Sequence, residues 1–264
     1  MGFGLRQDGI QPVRLKGRPA GTILFAIRHL LQCLADSFLP RHCLSCGTAM
    51  SATSAIDLCP ACTREALLCG PDVCSRCGAP SDSPDTCICH EPAFETVDMA
   101  RSAFAWTGPP RSMVLALKYS RKWELARPMA TVMAAVWAAS GGGLPDLVTS
   151  VPAIPRRFLA RGYNQAALLA SAFSAISDFP ADNFVLIRQG PPQSTRGLGA
   201  NERRRLAAGS FHVRNGRDVR GRRILLVDDV LTTGATVSDC ARALKSAGAR
   251  RVDVLTFARS VHLP

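Results

Sequence analysis

Residues 222–234 read Arg222-Arg223-Ile224-Leu225-Leu226-Val227-Asp228-Asp229-Val230-Leu231-Thr232-Thr233-Gly234. Ile224 to Val227 form an unbroken apolar run, the pattern of a strand buried on both faces in a parallel sheet. Asp228 and Asp229 stand at its carboxyl end. A small, hydroxyl-rich turn follows: Thr232, Thr233, Gly234, Ala235 and Thr236. Beyond it Val237, Cys240, Ala241 and Leu244 recur at helical spacing until Gly248, a C-cap residue. The order is strand, acidic pair, small loop, helix, the unit from which an open α/β sheet is built.

That order has a chemical meaning. Ligands of such sheets sit beyond the carboxyl ends of the strands. A loop of Thr, Gly and Ala lets backbone N–H groups close on a phosphate, and the helix starting there adds the positive end of its dipole. Two carboxylates repel phosphate but accept hydrogen bonds from two vicinal hydroxyls. Diol and phosphate on one ligand describe a ribose 5-phosphate. A P-loop nucleotide site is excluded, because Gly-x-x-x-x-Gly-Lys-Ser/Thr is absent. The run from Val227 to Thr236 resembles the phosphoribosyl pyrophosphate (PRPP) motif of the type I phosphoribosyltransferases. The resemblance implies that Asp228 and Asp229 are the catalytic pair that holds the ribose hydroxyls. It also implies that Thr232, Thr233, Gly234, Ala235 and Thr236 cradle the 5-phosphate.

The cysteines carry a second chemistry. Of the 11 in the chain, most fall between positions 43 and 89, as Cys43-x-x-Cys46, Cys59-x-x-Cys62, Cys74-x-x-Cys77 and Cys87-x-Cys89, with His90 next. Glycine after Cys46 and Cys77 relieves the tight turn of a zinc knuckle. Zn2+ takes four ligands in a tetrahedron, so Cys43, Cys46, Cys59 and Cys62 make one complete site. Cys74, Cys77 and Cys87 begin a second, whose fourth ligand is Cys89 or His90. Cys87-x-x-His90 keeps the usual spacing, whereas Cys89 offers the softer thiolate and is slightly preferred. Closed four-ligand sites are structural and supply folding free energy, on the order of 10 kcal/mol each. Cys33, Cys69 and Cys240 lack partners at ligand spacing and read as apolar filler.

The net charge of +12 favours phosphorylated ligands or nucleic acid, and 47% hydrophobic content excludes a disordered chain. No run is long and apolar enough to span a bilayer. The nearest, residues 21–39, is interrupted by Arg28, His29, Gln32 and Asp36, and no convincing cleavage site follows it. It reads as an amphipathic helix over 23–38, with Ile23, Ile27, Leu30, Leu31, Leu34 and Phe38 on one face, behind a polar tail over 1–20. Clustered Cys-x-x-Cys pairs fit a cytoplasmic protein.

Elsewhere the pattern predicts a strand over 99–106, helices over 109–119 and 124–139, and a strand over 147–151. A basic loop follows, carrying Arg156, Arg157 and Arg161, and a helix begins right after Asn164. A cationic loop at a strand end suits a pyrophosphate. Strands are predicted over 184–188 and 251–258. Between them residues 190–208, with Gln193, Arg196, Arg203, Arg204 and Arg205, read as a mobile lid or as a solvated Arg-rich helix start.

Arg161-Gly162-Tyr163-Asn164-Gln165 resembles a signature of the competence protein F (ComF/GntX) family, and the resemblance extends over residues 39–259. It implies a double zinc ribbon, residues 40–92, ahead of a type I phosphoribosyltransferase-like domain, residues 93–264. That domain is an α/β fold, a Rossmann-like parallel sheet with helices on both faces. The resemblance further implies that Arg161 faces the PRPP and that Mg2+ accompanies it. It links the chain to DNA uptake in natural transformation, with single-stranded DNA or a DNA-uptake helicase as partners. Leu206 stands where the family's Gln…Glu-Arg-Arg-x-Asn segment usually has Asn, and the spacing after Gln193 also drifts. Two functions are therefore expected, phosphoribosyl transfer from PRPP or a non-catalytic nucleotide- or single-stranded-DNA-binding accessory role. No residue stands out as a base-recognition group or general acid.

Overall fold

The computed structural model describes residues 41–50, 58–66, 69, 72–81, 85, 87–189 and 210–261. The polar tail, the 23–38 helix, Cys33 and the 190–208 segment lie outside the described residues. From His42 onward the described chain belongs to one compact unit.

In chain order, the elements that position the site are α1 (Pro60–Glu65), β1 (Met99–Ala105), α2 (Gly108–Tyr119), α3 (Ala126–Ala139), β2 (Leu147–Ser150), α4 (Pro155–Arg161), α5 (Gln165–Ser177), β3 (Leu186–Arg188), β4 (Phe211–Val213), β5 (Arg223–Leu231), α6 (Ala235–Ser246) and β6 (Arg251–Arg259). The central sheet runs β1-β6-β5-β2 and is parallel throughout. β3 and β4 form a separate antiparallel pair. This is the α/β architecture expected, with the motif strand β5 inside the sheet.

Burial explains the position of β5. Ile224, Leu225, Leu226 and Val227 are all fully buried. Leu225 and Val227 pack with Leu117, Met129, Leu169 and Phe173. Ile224 and Leu226 pack with Val237, Cys240 and Leu244. Side chains alternate between the faces of a strand, so one run feeds both cores. Each such side chain contributes roughly 1.5–3 kcal/mol on burial.

Three differences from the sequence pattern matter. β5 extends through Leu231, so Asp228 and Asp229 lie within the strand and not after it. The register explains this, because β6 continues beside it and pairs Thr256 with Asp228 and Ala258 with Val230. Second, the 150–165 loop contains α4, whose residues include none that is buried, so no apolar period announces it. Gly162 ends α4 in the left-handed region, φ 83°. Third, α2 starts just past the end of β1, while its last turn reaches Asp229 of β5 and Tyr163 beyond β2. It therefore runs across the carboxyl edge of the sheet.

Candidate ligand site and metal centres

Asp229 is buried, and its Oδ1 lies 2.7 Å from the Lys118 Nζ. Its Oδ2 is buried with no hydrogen-bond partner. Such an orphaned acceptor is expensive unless a ligand satisfies it. Asp228 accepts a hydrogen bond from the Asp229 backbone N–H at 2.8 Å. Burial, and then the neighbouring Asp229 carboxylate, push the Asp228 carboxyl up to about 8. Lys118 pulls the other way. Nothing in the local sequence pattern points to Lys118, whose relevance arises from the path of α2.

The small loop leads directly into α6. Gly234 is the N-cap of α6 at φ 76°, and no side chain caps the helix. The uncapped N–H groups and the dipole of a 12-residue helix are available to an anion. Thr232, Thr233 and Thr236 are exposed and Gly234 is buried. A Cβ on Gly234 would lie 2.8 Å from Ile88 and 3.0 Å from Phe94. Ile88 sits between Cys87 and Cys89, so the cysteine region closes over the back of the loop.

The run from Arg161 to Gln165 has a local task for each residue. Asn164 caps α5, accepting from the Ala166 N–H, and its amide donates to the Val151 carbonyl at 2.9 Å. Tyr163 donates to the Leu117 carbonyl at 2.5 Å. Arg161 donates to Gln165 Oε1 at 2.8 Å and stacks 5.0 Å from the Tyr119 ring centre. The loop is thereby tied to the turn of α2 that carries Lys118. Arg156 and Arg157 are exposed.

Two groups of four thiols are assembled, Cys43, Cys46, Cys59 and Cys62, then Cys74, Cys77, Cys87 and Cys89. The sulfurs of Cys46 and Cys59 are 3.7 Å apart, those of Cys74 and Cys89 3.6 Å, and those of Cys77 and Cys87 3.6 Å. Zn–S bonds of 2.3 Å put tetrahedral sulfurs about 3.8 Å apart, so both groups fit zinc. Cys89 completes the second group; the His90 side chain is 73% exposed beside Glu91. In the first group hydrogen bonding with Thr48 brings Cys46 down to about 6, while burial pushes Cys62 up to about 12. Cys240 is buried on α6, as expected of an apolar filler. Among the described residues no helix is long and apolar enough to cross a membrane.

Comparison with known proteins bears on both halves. The Phosphoribosyl transferase domain matches residues 161–262 and the Double zinc ribbon domain matches residues 34–91. DNA utilization protein YhgH of Escherichia coli O157:H7 is 30% identical over 213 residues, 77% of this chain and 91% of that one. Competence protein F of Haemophilus influenzae is 35% identical over 118 residues, 44% of this chain and 52% of that one. A purine phosphoribosyltransferase from Pyrococcus horikoshii Ot3 aligns structurally with a TM-score of 0.34 and 16% identity, over 54% of this chain and 80% of that one.

Proposed function

Since the chain belongs to the family of DNA utilization protein YhgH and competence protein F, which joins a double zinc ribbon to a phosphoribosyl transferase domain, we propose that the carboxyl edge of its sheet binds PRPP. The observation that carries this reading is the partnerless buried Oδ2 of Asp229 beside the glycine-centred, uncapped start of α6. Asp228 and Asp229 take the ribose hydroxyls. Thr232, Thr233, Gly234, Ala235 and Thr236 take the 5-phosphate, and Arg161 flanks the diphosphate end. In transfer, the bond from ribose C1 to the pyrophosphate oxygen breaks, the acceptor bonds to C1, and pyrophosphate leaves. The acids hold the ring while positive charge builds on it, and the loop fixes its far end. Mg2+, if bound with the ligand, would supply charge neutralisation for the leaving pyrophosphate.

The domains we assign are a tail over 1–20, an amphipathic helix over 21–39, the ribbon pair over 40–92 and the transferase-like domain over 93–264. The two thiol groups hold structural zinc, and clustered Cys-x-x-Cys pairs fit a cytoplasmic setting.

A second, non-catalytic reading rests on a specific surface. Tyr119 and Trp123 are 69% and 63% exposed, and Arg121 and Lys122 stand between them. Aromatic faces stack on bases and the cations follow a phosphate backbone, so single-stranded DNA fits there, with steep salt dependence.

Calorimetry with PRPP and magnesium tests the shared premise. The double variant D228N/D229N is expected to lose PRPP binding and keep single-stranded DNA binding. Retained PRPP affinity contradicts the site. Pyrophosphate release across a panel of bases and amines separates transferase from binder.

A further inference from the structure

Lys118 belongs to neither motif, yet its ammonium is ion-paired with Asp229 at 2.7 Å. Its side chain is 19% exposed and that of Asp229 is 5% exposed. The ammonium also lies 5.8 Å from the Trp106 ring centre, a cation–π contact. Lysine carries a compact charge on a flexible four-carbon stem, so it can re-aim without moving the backbone.

The two sides of the site differ. The loop for the 5-phosphate opens α6, whose Val237, Cys240 and Leu244 pack in one core. Lys118 comes from α2, whose Met113, Val114 and Leu117 pack in the other. The acids stand between the two. A ribose lying with its 5-phosphate on the loop and its hydroxyls on the acids carries its C1 substituent away from the loop, next to the 2-hydroxyl. Lys118 stands on that side. The neighbouring residues in its turn draw the basic loop to the same place, through Leu117 to Tyr163 and Tyr119 to Arg161.

We propose that Lys118 binds the C1 diphosphate of PRPP and changes partners to do so, holding Asp229 in the empty site and the diphosphate in the filled one. This rests on the PRPP reading of the site. When the ammonium leaves, Asp229 Oδ1 joins Oδ2 in accepting from the ribose hydroxyls. Arrival of the diphosphate and release of the acid are thereby one event, and ribose 5-phosphate, which lacks the diphosphate, does not trigger it.

The test is calorimetry on the full chain with magnesium, titrating PRPP and, separately, ribose 5-phosphate into wild type, K118M and K118R. K118M is expected to weaken PRPP at least about tenfold and to leave ribose 5-phosphate within about twofold of wild type or tighter. K118R, which keeps a cation, restores most of the PRPP affinity. Equal losses for both ligands in K118M make the lysine a mere support for Asp229 and overturn the inference, as does an unchanged PRPP affinity. Should K118M fail to retain zinc or melt cooperatively, K118Q gives the same comparison. Wild type that binds neither ligand refutes the PRPP reading itself, and this inference with it.

Discussion

At Asp228 the folded chain holds a proton that the unfolded chain releases. Its carboxyl is raised from 3.8 to about 8, first by burial and then by Asp229. A raised folded value means a contribution to stability that is full below about pH 4 and lost as pH climbs through about 8. Wild type should therefore lose melting temperature between about pH 5 and about pH 9 more steeply than D228N, which has no such proton to lose. Thermal melts of the two across that range check this, and parallel profiles contradict it. The acids were legible in sequence because strand, acids and small loop are contiguous. Lys118 was not, because its contact with Asp229 is made by the route of a helix across the sheet edge. Arg161 shows the same limit. Its position in a basic loop was readable, but its engagement with Gln165 and Tyr119 depends on the fold of α4 and α2.

Among the elements, the second ribbon is more than an appendage. Arg259, fully buried, donates to the Cys77 carbonyl at 2.5 Å, and Arg101 donates to the Ser75 carbonyl at 3.0 Å. Ile88, flanked by two metal-ligand cysteines, presses on Gly234 from behind. Loss of metal from this group is expected to free Ile88 and with it the 232–236 loop. C89S, or chelation, is expected to weaken PRPP by roughly tenfold or more, about 1.4 kcal/mol, through a ribbon that touches no substrate. Metal content and PRPP affinity measured on the same sample check this; full affinity after loss of the metal contradicts it. The cysteine pairs announced the ribbons by spacing alone. Their packing against α6 was not legible, since one isoleucine between two cysteines has no period to read. For the same reason the apolar runs of β1, β5 and β6 were found and α4, with no buried side, was not.

Over the whole described chain the ribbons and the sheet share their cores. Cys43, Cys59 and Cys62 lie in the apolar cluster that includes Leu117 of α2, and Cys77 lies in the cluster that includes Val237 of α6. Each ribbon thus backs one of the two helices that flank the acidic pair, the first behind α2 and the second behind α6. The net charge of +12 surrounds this with a field that attracts anions. One thing organises the molecule in this account, a sugar phosphate seated between those helices on the end of β5. A crystal structure grown with PRPP and magnesium tests that most directly. With PRPP bound, the 5-phosphate is expected on the backbone N–H groups of residues 232–236, the ribose hydroxyls on Asp228 and Asp229, and the Lys118 ammonium turned from Asp229 to the diphosphate. A ligand bound elsewhere, with the Lys118–Asp229 pair intact, contradicts it.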